Sequence, residues 1–293
     1  MYSGSIVAIV TPMNASGEID FAAWERLVEW HVDEGSDGIV VCGTTGESPT
    51  VTLPEAVELT RRAAARVRGR IPVIAGSGTN DTARSIERTR ELAEAGADAV
   101  LVVTPYYNKP TQEGLFQHFS AVADDSSVPV ILYNVPSRTG VDLLPETAAR
   151  LAAHPRIVSL KEATGNLARL AELQARCGAD LELLSGDDPI AAEAMLAGAR
   201  GVISVTANVV PRAMHALAGA ALAGDAERAR AQDARLQGLH RALFVESNPI
   251  PVKWAVGRLG LIGEGIRLPL TPLSAAGQTT VREAMRAAGV ACD

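Results

Sequence analysis

Lysine is nearly absent from this chain. Of 27 basic residues in 293 only three are lysines, Lys109, Lys161 and Lys253, and arginine carries the remaining positive charge. Cysteine is also scarce. Cys42, Cys177 and Cys292 lie far apart with no metal-ligand spacing, which excludes a disulfide framework or thiolate cluster and fits a reducing cytoplasm. The five histidines (His31, His118, His154, His215 and His240) never pair at ligand spacing, so they read as structural and no metal is expected. No apolar run is long enough to span a bilayer, and the opening Met1-Tyr2-Ser3-Gly4-Ser5-Ile6 has neither a basic start nor a cleavage motif. A soluble protein without a membrane partner or signal peptide is the expectation. The net charge of −7 argues against a nucleic-acid partner.

What the chain has in quantity is a repeat. Short apolar runs recur at 6–10, 38–41, 71–75, 99–103, 128–133, 157–160, 181–184 and 202–205. Most are continuously apolar rather than alternating, as a parallel sheet covered on both faces requires. Between them the spacing is helical: Trp24, Leu27, Val28 and His31 share one face, and Leu167, Leu170 and Ala171 another. Pro54, Pro145 and Pro211 suit early helix positions, and Asp188-Pro189 reads as a cap followed by a first-turn proline. Eight consecutive βα units without a linker predict an α/β fold, a single closed (β/α)8 barrel over residues 1–224. Further helices over 226–245, 249–260 and 277–288 predict an appended helical region over 225–293. The competing architecture, an open doubly wound sheet, is disfavoured because the first βα turn lacks a dinucleotide glycine fingerprint.

In such a barrel the chemistry lies at the carboxyl ends of the strands. Those ends carry Thr11-Pro12, Gly43-Thr44-Thr45-Gly46-Glu47, Gly76-Ser77-Gly78-Thr79-Asn80, Thr104 to Asn108, Tyr133-Asn134, Lys161-Glu162, Ser185 to Asp188 and Ser204-Val205-Thr206. Lys161 alone of the lysines has the flanks of a strand end. Arginine cannot serve as an amine nucleophile, whereas a lysine can form a Schiff base. An ordinary lysine is neutral in only about one molecule in 2,500 at pH 7, and burial is the usual route to a larger fraction. The competing reading is a lysine that snorkels to solvent or pairs with Glu162.

The other candidates divide in the same way. Gly43 to Glu47 offers consecutive amides and two hydroxyls, a nest suited to a carboxylate or phosphate, or else a plain glycine turn. Glu47 itself reads as a structural hydrogen-bond anchor. Tyr107 and Tyr133 can relay protons with help from Thr44, or sit as aromatics with a wet tip. Arg138, in a loop after a strand, can clamp a carboxylate in a bidentate fork, or be a solvated charge. Asp187-Asp188 invites a metal reading, but Pro189 makes capping by Asp188 the preferred one.

With these motifs assembled, the chain resembles the dihydrodipicolinate synthase family of pyruvate-dependent class I aldolases, which are (β/α)8 barrels. The resemblance covers essentially the whole chain. It is carried by Gly4 to Pro12, Gly43 to Ser48, Thr104 to Gly114, Leu132 to Gly140, Lys161 to Gly165, Ser185 to Asp188, Gly201 to Asn208 and Asn248 to Trp254. It implies a condensation of pyruvate with L-aspartate 4-semialdehyde in lysine (diaminopimelate) biosynthesis, giving 4-hydroxy-tetrahydrodipicolinate without a cofactor. It further implies an imine at Lys161 and a proton relay of Tyr133, Thr44 and Tyr107, with Tyr107 reaching into a neighbouring subunit's site. Thr44 and Thr45 would hold the pyruvate carboxylate, Arg138 the semialdehyde carboxylate, and Gly186 with the backbone of Ile203 would line the pocket. A cytoplasmic homotetramer, a dimer of dimers, is the implied assembly.

One departure from the family pattern concerns regulation. Lysine-inhibited members bind lysine at a dimer interface, and Ser48, Asn80 and Tyr106 match that site. Where they carry histidine and an acidic residue, this chain has Ala56 and Arg84. Arg84 repels a cationic effector if it faces one, so weak or absent lysine inhibition is expected. Two readings compete with the synthase: a sibling aldolase cleaving a keto-sugar acid, and a non-catalytic barrel that binds a keto acid in the Thr44-Thr45 nest.

Overall fold

A computed structural model describes residues 2–291. Cys292 therefore lies outside the described residues. The strands are β1 (Gly4–Ala8), β2 (Gly38–Val41), β3 (Val73–Gly76), β4 (Ala99–Val103), β5 (Val130–Asn134), β6 (Ile157–Glu162), β7 (Glu182–Ser185) and β8 (Gly201–Ser204). All pair in parallel with their sequence neighbours, and β8 returns to β1 with Ile6 opposite Ile203, which closes the barrel. The helices around it are α1 (Phe21–Asp33), α2 (Leu53–Val67), α3 (Thr82–Glu94), α4 (Gln112–Asp125), a single turn α5 (Pro136–Thr139), α6 (Pro145–Ala152), α7 (Leu167–Cys177), α8 (Ala191–Leu196) and α9 (Pro211–Leu222). Three more follow: α10 (Ala226–Ala242), α11 (Ile250–Arg258) and α12 (Ala275–Ala287). Among the described residues no helix is long and apolar enough to cross a membrane.

The continuous apolar runs are explained by two cores that use alternate residues of each strand. Ile6, Val40, Ile74, Leu101, Ile131, Tyr133, Leu184 and Ile203 point inward and fill the barrel. Val7, Ile39, Val41, Val73, Val100, Val102, Leu132, Leu160 and Val202 point outward against the helices. Two strands begin later than their apolar runs suggest. β3 starts at Val73 and β5 at Val130, after Pro72 and Pro129, which have no N–H to give to a ladder. Their carbonyls still accept, from Ile39 and Val100 respectively.

Helix starts follow local chemistry. Thr52 and Glu55 form a reciprocal capping box on α2, with Pro54 in its first turn, an arrangement in which the cap side chain alone stabilises by about 1 kcal/mol. Pro145 and Pro211 likewise open α6 and α9. On α1 the expected face is buried at Trp24, Leu27, Val28 and His31. On α7 the expected face is displaced. Leu167, first after the Asn166 cap, is exposed, as is Ala171, and the buried stripe is Leu170, Leu173 and Cys177. Asp188 also departs from its expected role. It does not cap the turn that it opens. Its buried carboxylate accepts from the Val205 and Thr206 amides, 2.9 Å each, and so ties the end of β7 to the turn after β8. Burial holds the His31 imidazole down at about 3 and that of His118 at about 4, so both pack as neutral rings.

Candidate active site

The barrel mouth is built on β2, β5, β6 and β7. At the end of β2 the chain turns back on itself through Cys42 and Glu47, both with positive φ (52° and 60°). Gly46 and Ser48 donate to the Gly43 carbonyl, at 3.0 and 3.3 Å, which closes the nest around Thr44 and Thr45. Gly76 on the neighbouring strand must be glycine, because a Cβ there would stand 2.2 Å from the Cys42 carbonyl oxygen. Thr45 is buried, and its Oγ1 accepts from Asn248 Nδ2 at 3.0 Å.

Lys161 and Tyr133 are register partners on β6 and β5. Tyr133 belongs to the inner core, so its partner also faces the barrel axis. Lys161 is 6% exposed, and its Nζ lies 4.2 Å from the centre of the Tyr133 ring. Glu162, one residue on, faces the other way. Asn134 Nδ2 and the Thr164 amide occupy its carboxylate, at 3.1 and 2.9 Å, and burial pushes its carboxyl up. The competing Lys161–Glu162 pair does not form.

Thr44, Thr45, Tyr133, Arg138, Lys161 and Gly186 all line one cavity of about 230 Å³. Gly186 is forced to be glycine: a Cβ would meet that of Ala163 at 2.5 Å. Among the described residues Arg138, on α5, has no carboxylate partner and reaches only the Asn248 carbonyl, at 3.4 Å. Two expected residues lie elsewhere. Ile203 sits in the inner core, and Val205 takes its place on the cavity wall. Tyr107 is 87% exposed, on a left-handed residue (φ 73°), and does not enter this chain's own cavity.

The five regulatory candidates also separate. Ser48 and Tyr106 line a second cavity of about 370 Å³, which shares Thr44 and Arg138 with the first. Ala56 is fully buried on α2, Arg84 is exposed with Asp81 3.7 Å away, and the Asn80 carbonyl accepts from Asn108.

Sequence reasoning weighed Asp187 only beside Asp188, as a metal or capping pair, and missed Phe244 and Asn248; all three line the cavity. The last two come from the C-terminal region, whose only signal was the Asn248-Pro249-Ile250-Pro251 stretch. It also missed Lys253. This lysine is buried on α11 and forms an ion pair with Glu47, whose second oxygen accepts from the Arg267 amide at 3.1 Å. Glu47 is thereby the structural anchor that its position suggested.

Residues 1–288 match the dihydrodipicolinate synthetase family. The chain belongs to that family. Among curated dihydrodipicolinate synthetase relatives, 4-hydroxy-tetrahydrodipicolinate synthase of Stutzerimonas stutzeri is 56% identical over 290 residues, 99% of each chain. That of Coxiella burnetii is 53% identical over 292 residues, the full length of both. The fold superposes on the chloride-inhibited dihydrodipicolinate synthase of Acinetobacter baumannii complexed with pyruvate, with a TM-score of 0.98, 49% identity and coverage of 99% and 100%. It also matches the lysine-bound enzyme of Cyanidioschyzon merolae, with a TM-score of 0.96, 40% identity and 99% coverage of both.

Proposed function

We propose that this protein is a lyase that condenses pyruvate with L-aspartate 4-semialdehyde to give 4-hydroxy-tetrahydrodipicolinate, a step of lysine and diaminopimelate biosynthesis. The observation that carries the reading is Lys161: a buried amine with no ion-pair partner among the described residues, sharing a cavity with a threonine nest and the Arg138 guanidinium. Full-length relatives of the same activity support it, as does the structural neighbour complexed with pyruvate.

The chemistry follows from these groups. Pyruvate's methyl protons are too weakly acidic to leave at neutral pH. An iminium at Lys161 withdraws the electrons and makes loss of a proton to an enamine feasible. In this reading Tyr133 and Thr44, which line the same cavity as Lys161, relay the proton, and Tyr107 of a second copy completes the relay. Thr44 and Thr45 hold the pyruvate carboxylate, and Arg138 the carboxylate of the semialdehyde. Gly186 and Val205 shape the floor. The enamine attacks the aldehyde, the substrate amine closes onto the former carbonyl carbon, and Lys161 leaves. No cofactor takes part in these steps.

The assembly we propose is a cytoplasmic homotetramer of two tight dimers, with the barrel over 1–224 and the helical region over 225–293. Ser48, Asn80 and Tyr106 mark an interface cleft. With Ala56 and an exposed Arg84 in place of a histidine and an acid, lysine inhibits weakly or not at all. An inhibition constant below the millimolar range contradicts this. The test of the main reading is borohydride reduction in the presence of pyruvate, followed by intact-mass and peptide analysis. One pyruvyl adduct at Lys161 is expected, together with turnover of the semialdehyde. An adduct without that turnover points to a keto-sugar-acid aldolase, and no adduct to a non-catalytic barrel.

A further inference from the structure

The groups placed so far leave one part of the second substrate without a protein partner. Aspartate semialdehyde carries a carboxylate, an aldehyde and an ammonium, and the ammonium is the group that later closes the ring. Among the described residues, Asp187 is the only acidic one that lines the active cavity. Three carboxylates crowd this end of β6 and β7, and two are committed to structure. Glu162 takes Asn134 and Thr164, and Asp188 takes the Val205 and Thr206 amides. Asp187 is different. The Gly165 amide bears on its carboxylate, but it caps nothing with its side chain, forms no ion pair among the described residues, and its buried Oδ2 accepts no hydrogen bond. A buried acceptor without a partner destabilises the fold, so a structural role does not account for that oxygen. Asn248 Oδ1, buried in the same way, lines the same cavity.

Resting on the synthase reading above, we propose that Asp187 is the anchor of the second substrate's ammonium and the acceptor of its proton before ring closure. Charge supports the assignment. The occupied site holds two substrate carboxylates against Arg138, the Lys161 iminium and the ammonium, one positive charge in excess. Asp187 brings it to neutrality, and without it a third cation enters a cavity that already holds two. The proton balance follows. An ammonium has no lone pair, so it must give one proton to the Asp187 carboxylate. The freed pair forms the bond to the iminium carbon while the C=N electrons return to the Lys161 nitrogen. A proton then passes from the ring nitrogen to the lysine nitrogen, which leaves with its bonding pair. The ring nitrogen forms the new C=N bond and releases its last extra proton. Burial pushes the Asp187 carboxyl up, against the pull of the Gly165 amide and Lys161, which suits a group that accepts a proton from an amine.

The test compares Asp187→Asn with the unaltered tetramer on two aldehydes: aspartate semialdehyde, and 4-oxobutanoate, the same acid without the amine. The pyruvate adduct at Lys161 and the KM for pyruvate stay unchanged. Carbon–carbon bond formation with 4-oxobutanoate stays within about twofold, whereas kcat/KM for the semialdehyde falls roughly ten- to a hundredfold, the weight of one charge-assisted hydrogen bond. Equal losses with both aldehydes, or a lost pyruvate adduct, overturn the proposal, since either places Asp187 on Lys161 or in the framework. If the unaltered enzyme forms the adduct but condenses neither aldehyde, the synthase reading fails instead.

Discussion

Arg138 is the residue whose chemistry depends most on what it does not touch. Many arginines of this chain meet a carboxylate, as Arg267 meets Glu55 and Arg169 meets Asp142. Arg138 meets only a backbone carbonyl, and it stands at a wall common to both cavities. A guanidinium left free in this way is ready for a bidentate carboxylate. Arg138→Leu is therefore expected to leave the borohydride-trapped pyruvate adduct intact and to cut kcat/KM for the semialdehyde on the order of a hundredfold, read from coupled turnover. An equal loss of adduct contradicts the assignment. That Lys161, Thr44, Thr45 and Arg138 meet at the barrel mouth was legible in the sequence, because strand ends, a glycine-flanked hydroxyl pair and a loop arginine each leave a local mark. Asp187 left none that separated it from Asp188. Both precede Pro189, and only the three-dimensional path of the turn shows which carboxylate is tied up by amides and which faces the cavity.

The element that most affects the site from a distance is α11. It carries Lys253, buried against Glu47, and the turn before it carries Asn248, which donates to Thr45. The C-terminal region thus grips the turn after β2 at two points, Thr45 and Glu47. Burial lowers the Lys253 ammonium from its usual range, partly offset by Glu47. Lys253→Met leaves a carboxylate that is 1% exposed without its counter-charge. Removing one partner of a buried pair costs about 3–5 kcal/mol. A drop in Tm of roughly 6 °C or more is the expected result, with Glu47→Gln/Lys253→Met recovering part of it. A melt unchanged from the parent protein would falsify the view that this pair holds the turn. The helix itself was legible from its spacing. Its partner was not, because the two residues of the pair stand 206 apart in sequence, and no periodicity reports a contact of that range. The displaced face of α7 has a more local cause: the first residue after a cap sits at the helix mouth, where an apolar side chain need not be covered.

At the scale of the whole molecule, eight continuous apolar runs were enough to give the barrel, since a sheet buried on both faces has no polar side to show. Subunit contacts are a different matter, and Tyr107 carries the information. Its side chain is 87% exposed and does not line its own cavity, which the proposed exchange between copies requires. Mixing Lys161→Ala with Tyr107→Ala protomers, each nearly inactive alone, should restore roughly a quarter of the parental turnover, because half of randomly formed dimers then hold one intact composite site. Failure of the mixture to exceed its components, with hybrid formation confirmed by native mass spectrometry, removes Tyr107 from the partner's site. The grip of α11 on the turn after β2 also sets an order in time. A ribosome delivers Lys161 long before it delivers Asn248 and Lys253, so a nascent chain owns its proposed nucleophile while the threonines beside it are still unheld. Proteolysis ahead of residue 248 returns the protein to that unfinished condition, and capture of a 2-oxo acid becomes a late event in the life of each polypeptide.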